Sequence, residues 1–284
     1  MNRLPYTNVD FFDILDSEDK AYWFGFVCAD GCMNDTNRTV VVNLSSKDTS
    51  HLLKLAKVFN KRVYTYRYYN RFHKKYYNSS ILVLANHRIW DALILKGVYP
   101  RKTYCDMDCV LRRVPSHLLN HFVRGYFDGD GSVNDTDIKD GKNYCFSLSG
   151  PEKFLRQLRG VLIEVLGLSE TELESHENMG VIRWSGREQI KLIGEWMYSE
   201  ASVFMERKKS KYEKMCSEKT RRGYSGYRGV SWHRNNLKWL TSISNGKKRI
   251  NLGYYHDVID AAKAYDDAVI RLHKPLYKLN FARG

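Results

Sequence analysis

The chain lacks the marks of zinc-finger, secreted and membrane-spanning proteins. Its six cysteines form no Cys-x-x-Cys pair and none lies at zinc-finger spacing from paired histidines, so a metal finger is not expected. The first residues contain no signal-peptide core, and no apolar run approaches the ~20 residues that a membrane helix needs. We therefore expect an intracellular, non-secreted protein whose thiols are reduced.

Acidic residues are in deficit. The 284 residues include 46 Lys and Arg against 32 Asp and Glu, which gives a formal net charge of +14. Tyrosine is frequent, with 20 residues. This composition is typical of a protein that binds a polyanion, although a soluble basic protein with a charged surface would show it equally. The length allows two domains, or a pseudo-symmetric pair with a small module.

A ten-residue pattern occurs twice, one hundred residues apart. Residues 22–31 read Tyr-Trp-Phe-Gly-Phe-Val-Cys-Ala-Asp-Gly, and residues 122–131 read Phe-Val-Arg-Gly-Tyr-Phe-Asp-Gly-Asp-Gly. Each is an apolar helical run that ends in Asp-Gly. Residues spaced by four share one face of each helix. They are Ala21, Gly25 and Ala29 in the first motif and His121, Gly125 and Gly129 in the second. Packing of these two faces would allow unusually close backbone approach.

Such packing would place Asp30 and Asp130 side by side at the ends of their helices. The carbonyl end of a helix is partially negative and the two acids repel each other, so a divalent cation would relieve both penalties. One alternative is a small-residue helix pair with two solvated Asp residues. Another is a calcium loop, which is disfavoured because Val133 stands where glycine is needed and Lys139 where the last ligand belongs.

Hydrophobic periodicity predicts an α+β fold made of two αββαββα halves and a small C-terminal module. Helices are expected at 17–29, 49–59 and 89–96, and again at 116–127, 152–166 and 188–197. Strands are expected at 39–45, within 62–71 and at 75–84, and again at 144–149, near 172–177 and at 181–185. One further strand per half is hard to place within 32–38 and 134–143.

The predicted domains are 1–105 and 106–212 for the two halves, 213–224 for a basic linker and 225–284 for the module. The stretch 208–222 is read as a basic linker or an exposed helix. In the module we expect three short strands at 228–232, 238–244 and 248–254, followed by a helix at 258–272.

The two motifs resemble those of the LAGLIDADG homing endonucleases in their single-chain, two-motif form, with Gly25 or Gly125 as the motif glycine and Asp30 or Asp130 as the motif acid. The resemblance implies a pseudo-two-fold pair of saddle-shaped DNA-binding sheets, a Mg²⁺ (or Mn²⁺) site formed by Asp30, Asp130, Ala29 and Gly129, and metal-assisted hydrolysis of one phosphodiester per strand. Cys28 departs from the pattern, since the family often has an acid there, as Asp128 is in the second copy.

Basic residues at equivalent ends of the two halves are further candidates for the site. The family often places such a residue near the scissile phosphate or its water, which suggests a catalytic role for Lys102 and for Lys208 or Lys209. A solvated lysine at a helix end, or a nonspecific phosphate contact, is the alternative. On the strands, Arg67 and Arg71 are candidate DNA contacts. The predicted strands of both halves carry further polar and aromatic residues, but the sequence does not say which face of each strand points to DNA. These residues are Asn43, Ser45, Tyr64, Tyr69, Ser147, Ser149 and Arg183.

The C-terminal module resembles an AP2 DNA-binding domain. The matching residues are Gly226-Tyr-Arg-Gly-Val-Ser-Trp-His-Arg, Lys238-Trp239, Gly246-Lys-Lys-Arg-Ile-Asn-Leu-Gly-Tyr-Tyr, Ala261-Ala-Lys-Ala-Tyr-Asp and Leu279-Asn-Phe281. In that family the sheet enters the major groove and the helix braces it. The DNA contacts implied are Arg228, Trp232, His233, Arg234, Lys238, Trp239 and Arg249, although Trp239 could instead be a core residue. The expected core residues are Leu252, Ala262, Tyr265 and Ala268.

These features favour a site-specific double-strand DNA endonuclease of a mobile element, active in intron homing, that works as a monomer and leaves short 3′ overhangs. We expect it in the cytoplasm or nucleoid of a bacterial or phage-infected cell, or in an organelle. The alternative is a DNA-binding regulator or an RNA-splicing maturase that has lost cleavage. An intein is disfavoured, because Met1 is not a nucleophile and the last residues are not His-Asn.

Overall fold

Two αββαββα units follow one another along the chain, and a three-stranded sheet with one helix comes after them. The computed structural model describes residues 5–101, 107, 109–138, 141–217, 225–246 and 248–281. The mixed α+β class and the element order of both units agree with the sequence prediction. Within the described residues, no helix is both long enough and apolar enough to cross a membrane.

The first unit forms a four-stranded antiparallel sheet with its helices on one face. Its elements are α1 (Glu18–Asp30), β1 (Gly31–Asn34), β2 (Thr39–Ser45), α2 (Thr49–Val58), β3 (Tyr64–Asn70), β4 (Lys75–Leu84) and α3 (His87–Leu95), in the strand order β1-β2-β4-β3. In β2 every second side chain points towards the helices, since Val40, Val42 and Leu44 are buried. The Asn86 side chain accepts a hydrogen bond from the Ile89 amide and so caps α3.

The second unit repeats this arrangement. It comprises α4 (Leu119–Asp130), β5 (Gly131–Ile138), β6 (Gly141–Pro151), α5 (Glu152–Leu166), β7 (Leu173–His176), β8 (Met179–Ser185) and α6 (Arg187–Tyr198), in the strand order β5-β6-β8-β7. The strands that were hard to place are β1 and β5. Each begins at the glycine directly after a motif acid, so the motif helix runs into its sheet without a loop.

The basic stretch is helical in its described part, which ends at Ser217, and a helix was one of the two expectations for it. Helix α7 (Glu206–Ser217) buries Lys208, Tyr212 and Met215, a spacing of four and three residues that defines one face. That face packs on α6, where a side chain at Gly194 would overlap the Tyr212 ring. A linker starting at residue 213 was therefore placed too early, because the helix continues to Ser217.

The C-terminal module has the expected three strands and helix. They are β9 (Val230–His233), β10 (Lys238–Asn245), β11 (Lys248–Tyr255) and α8 (Val258–Arg271), with β10 in the centre of the sheet. The Asp257 carboxylate accepts hydrogen bonds from the Ile259 and Asp260 amides and caps α8. Its core consists of two small apolar clusters between sheet and helix, and these contain the four predicted core residues Leu252, Ala262, Tyr265 and Ala268.

Helices α1 and α4 approach each other very closely in the core. A Cβ atom on Gly25 would overlap the carbonyl oxygen of Phe122, and a Cβ atom on Gly125 would overlap the carbonyl oxygen of Tyr22. These two contacts are related by the hundred-residue repeat. They confirm that the small-residue faces of the two motifs pack together, backbone against backbone.

We predict that Gly25→Ala and Gly125→Ala each destabilise the fold by about 3 kcal/mol or more, because the added methyl group meets a backbone carbonyl that cannot rotate away. The matched control is Gly160→Ala in α5, where nothing lies within 4 Å of the new Cβ. There alanine should stabilise by about 0.5–1 kcal/mol through helix propensity. Urea unfolding followed by circular dichroism measures all three, and equal midpoints would contradict the close helix contact.

Candidate active site and nucleic-acid interface

The two motif acids lie at adjoining helix ends. Asp30 is the last residue of α1 and Asp130 the last of α4, and both are partly exposed. A Cβ atom on Gly129 would overlap the Cβ of buried Ala29 and would lie 3.4 Å from Cγ of Asp30. Because Gly129 has no side chain, the Asp30 carboxylate has room to lie beside the end of α4.

Lys208 reaches this site from α7. Its Nζ donates hydrogen bonds to three carbonyl oxygens at the end of α4 and the start of β5, those of Phe127 at 2.7 Å, Gly129 at 2.9 Å and Gly131 at 2.8 Å. An ammonium has three donors, and all three are used here. The positive charge also lies at the negative end of the helix dipole.

The charge of Lys208 is held close to both motif acids. Burial lowers the pKa of Lys208 to about 8, while the carboxylates Asp128, Asp30 and Asp130 oppose that shift. The ammonium is therefore still mostly protonated at neutral pH. Lys208 does lie at a helix end, but its side chain is buried rather than solvated, and its catalytic role stays a prediction. Lys102 lies outside the described residues, and Lys209 places its Nζ 3.9 Å from the centre of the Phe204 ring.

Asp128 occupies the position where α1 has Cys28, and both side chains are buried. One oxygen of the Asp128 carboxylate accepts hydrogen bonds from the Tyr22 hydroxyl at 2.6 Å and from the Met205 amide at 2.7 Å. Burial raises the pKa of Asp128 to about 6, against the opposing effect of those two donors. Through these two hydrogen bonds Asp128 connects α4 to α1 and to the segment after α6. Its role is therefore to position these elements.

That segment, residues 202–208, crosses between the two units and we call it the crossing segment. Glu18 of α1 accepts hydrogen bonds from the Ser202 and Val203 amides at 2.7 and 3.2 Å. Arg124 of α4, fully buried, donates to the Val203 carbonyl at 2.9 Å and forms an ion pair with Glu18 at 2.6 Å. On the other side Arg207 pairs with Asp48 at 3.0 Å. Sequence reasoning missed Glu18 and Arg124, although an arginine inside an apolar motif was a signal of a buried ion pair.

The donor atoms suit a hard divalent cation. Carboxylate oxygens are the ligands that Mg²⁺ and Mn²⁺ prefer, and Asp30 and Asp130 present two carboxylates at one place. No cluster of three or more His, Cys, Asp or Glu side chains that could hold a metal is found in the described part of the chain. The Gly129 carbonyl, predicted as part of a metal site, accepts a hydrogen bond from Lys208, and its place in a metal site stays a prediction.

The register of the sheets settles which strand residues point away from the helices. In the first sheet Asn43, Ser45 and Tyr66 share the outer face, and the Asn43 amide donates to the Tyr66 hydroxyl at 2.7 Å. Arg67 lies on the opposite face of β3, 4.2 Å from the centre of the Tyr76 ring. Arg71 is exposed in the turn between β3 and β4.

The hairpin of β3 and β4 extends beyond the core as a two-stranded ribbon, residues 64–78. Both of its faces are exposed to solvent along almost its whole length. Phe72 at its tip is 89% exposed. A two-stranded ribbon has the dimensions of the B-DNA major groove. The exposed aromatic residues of the ribbon are Tyr64, Tyr66, Tyr68, Tyr69, Phe72, Tyr76 and Tyr77.

The outer face of the second sheet carries Ser147, Ser149 and Arg183. Ser147 and Ser132 are hydrogen-bonded to each other at 2.8 Å. Arg183 forms an ion pair with Glu174 of the neighbouring strand. The only predicted base-reading arginine of this sheet is thus held by a carboxylate.

In the module, the predicted DNA contacts divide between the two faces of the sheet. His233 pairs with Lys238, and Arg249 with Ser244, on the face away from α8. Trp232 and Trp239 pair edge to face, with ring centres 5.0 Å apart, on the face that packs towards the helix. Trp239 is therefore at least partly a core residue, as the sequence allowed. Arg234 is exposed in the turn after β9, whereas Arg228 lies 3.9 Å from Glu188 of α6.

Comparison with solved structures identifies the fold. The homing endonuclease I-WcaI bound to its DNA recognition sequence is 15% identical, with a TM-score of 0.53, over 72% of this chain and 88% of that one. The I-LtrWI LAGLIDADG homing endonuclease bound to target DNA is 13% identical (TM-score 0.46; 74% and 89% covered). I-SmaMI bound to uncleaved DNA with calcium ions is also 13% identical (TM-score 0.47; 69% and 88%). The I-WcaI similarity establishes that this chain has a homing-endonuclease fold.

Two further comparisons yield no relative. No protein-family model matches the chain, and no curated protein matches it. The similarity to known proteins therefore lies in the fold rather than in a sequence alignment.

We predict that Lys208→Met lowers the stability of the protein by about 1–3 kcal/mol, because it removes three charge-assisted hydrogen bonds to carbonyl oxygens at the end of α4 and the start of β5. The control is the neighbouring Lys209→Met, which loses only ring contacts with Phe204 and Tyr198 and a 3.8 Å pair with exposed Glu213. Its cost should stay below about 1 kcal/mol. Thermal unfolding compares the two, and an equal loss in both would show that the three carbonyl contacts do not stabilise the helix end.

Proposed function

We propose that the chain is a site-specific double-strand DNA endonuclease that hydrolyses one phosphodiester in each strand. The observation that carries this proposal is the pair of carboxylates, Asp30 and Asp130, placed at adjoining ends of two helices that pack through Gly25 and Gly125. The fold it shares with I-WcaI, a homing endonuclease described bound to its DNA recognition sequence, supports the same conclusion.

The two-fold repeat suits a duplex substrate. The two strands of DNA are related by two-fold axes, and Asp30 and Asp130 are related by the pseudo-two-fold repeat of the chain. Each carboxylate is therefore assigned to one strand. Because both halves belong to one chain, a monomer contains the complete site.

A divalent cation, Mg²⁺ or Mn²⁺, is the proposed cofactor, held by Asp30 and Asp130, with Ala29 lining the site. When bound, it stabilises charge on the phosphate and lowers the pKa of an attacking water. The residues of the chain fix the geometry: Asp30 and Asp130 orient the ligands, and Lys208 holds the end of α4 through the Phe127, Gly129 and Gly131 carbonyls. Lys208 is thus proposed as a positioning residue, and Gly129 contributes the space beside Asp30.

DNA would lie on the outer faces of the two sheets. The projecting ribbon, which is exposed on both faces, would add contacts from Arg71 in its turn and from Arg67 on its other face. These residues are exposed, basic and interleaved with tyrosines, which can pack on phosphates and sugars or reach base edges. The C-terminal module is proposed as an AP2-like DNA-binding unit that contacts DNA through His233, Lys238, Arg249 and Arg234. It should raise affinity by effective concentration and lengthen the recognised sequence.

Replacing either motif acid should abolish cleavage but not binding. We expect Asp30→Asn and Asp130→Asn each to reduce double-strand cutting of a randomised site library by at least about 100-fold in Mg²⁺, since several kcal/mol of charge stabilisation are lost. Chelation of the metal should have the same effect. The control Asp35→Asn, in the exposed turn after β1, should cut normally.

Binding of all four proteins to the same duplexes is measured in parallel. Selective binding by the natural chain without cutting would replace the endonuclease proposal with the regulator or maturase alternative. Full cutting by both Asp→Asn variants would show that other residues perform the reaction.

A further inference from the structure

Three segments of the outer hairpins and the module each have charges of one sign only. The stretch 61–85, which contains the ribbon, has six Lys and Arg residues and no Asp or Glu. The stretch 225–256, which contains the sheet of the module, likewise has six Lys and Arg and no Asp or Glu. Between Arg159 and Arg183 the pattern is reversed, with five Glu and no Lys or Arg.

The first and third of these segments occupy equivalent places in the two units. Strand β3 forms one edge of the first sheet, and β7 forms the equivalent edge of the second. Strand β3 has seven residues and continues into the projecting ribbon, whereas β7 has four and its hairpin is short. The repeat that duplicates the carboxylates therefore does not duplicate the basic outer hairpin.

The outer hairpin of the second unit, residues 170–180, is acidic on its exposed surface. Glu170, Glu172, Glu174 and Glu177 are all exposed. The nearest basic side chains are already engaged, since Arg159 lies 3.4 Å from Glu170 and Arg183 pairs with Glu174. Next to a phosphate backbone such a surface would be repelled, because like charges placed together cost binding free energy.

The module is attached at this same side of the second unit. Glu188, which contacts Arg228 of the module at 3.9 Å, lies in the first turn of α6, directly after β8. The preceding residue, Arg187, binds the Met215 and Cys216 carbonyls at the end of α7. Consecutive residues of α6 thus contact both α7 and the module, near the open end of the acidic hairpin, where the Ser169 amide donates a hydrogen bond to Gln189 of α6.

We propose that the acidic hairpin stays off the DNA and that the basic sheet of the module supplies the outer DNA contacts of the second half. Duplex DNA is then held by the ribbon at one end and by the module at the other, with the two carboxylates between them. This inference rests on the proposed DNA-binding function, but it does not require cleavage.

The test uses the full-length chain and a fluorescein-labelled mixed-sequence duplex of 40 base pairs, with anisotropy measured over a series of salt concentrations. Three double variants are compared: Arg67→Gln/Arg71→Gln in the ribbon, Lys238→Gln/Arg249→Gln in the module and Glu172→Gln/Glu177→Gln in the hairpin. Each phosphate contact contributes about 0.9 to the slope of log K against log salt. We expect the ribbon and module variants each to lose up to about 1.8 of that slope, and the hairpin variant to bind within about twofold of the natural chain.

The inference is overturned if the module variant retains the natural slope and affinity. It is equally overturned if the hairpin variant changes affinity more than about fivefold in either direction, since its carboxylates would then be close to the DNA. Both results leave the proposed function intact when the natural chain binds and cuts. Failure of the natural chain to bind any duplex overturns the proposed function and this inference together, and thermal melting of each variant excludes misfolding as the cause.

Discussion

The contact between α1 and α4 is the constraint on which the rest of the structure depends. Gly25 and Gly125 each face a backbone carbonyl of the other helix, and no residue with a side chain can take either place without moving the helices apart. Because the helices approach so closely, their last residues, Asp30 and Asp130, end at one place and their sheets diverge on either side. The position of the acids and the separation of the two sheets are thus two results of one packing contact.

The helix pair α1 and α4 is symmetric in its backbone contacts and asymmetric in its polar contacts. The crossing segment lies against both helices, and Glu18, Arg124 and Asp128 hold it there. Since Cys28 replaces the acid on α1, only one helix makes the carboxylate contact. The buried Lys208 ammonium then partly compensates the negative charge at the end of α4. The site therefore combines two equivalent carboxylates with asymmetric support, because the crossing segment, which ends at Lys208, binds the end of α4.

Much of the fold follows from local sequence, whereas the supporting contacts of the site do not. Periodicity and the repeated Asp-Gly motif predicted the αββαββα order, the glycine face and the two acids, because these depend on neighbours within a few residues. The sequence did not reveal that Lys208 binds carbonyls 77 to 81 residues earlier in the chain, nor that Ser202 binds Glu18. Strands β1 and β5 were hard to place because their polar composition hides the alternation. The face of each strand depended on register, which pairing across the sheet determines.

The most direct test of the account is a crystal structure of the full chain on its target duplex with Mn²⁺, recorded at the manganese absorption edge. The account predicts anomalous density at the junction of α1 and α4, within about 2.5 Å of carboxylate oxygens from both Asp30 and Asp130. A bound duplex with no metal at this junction, or with metal held by other residues, would contradict the claim that helix packing builds the active site.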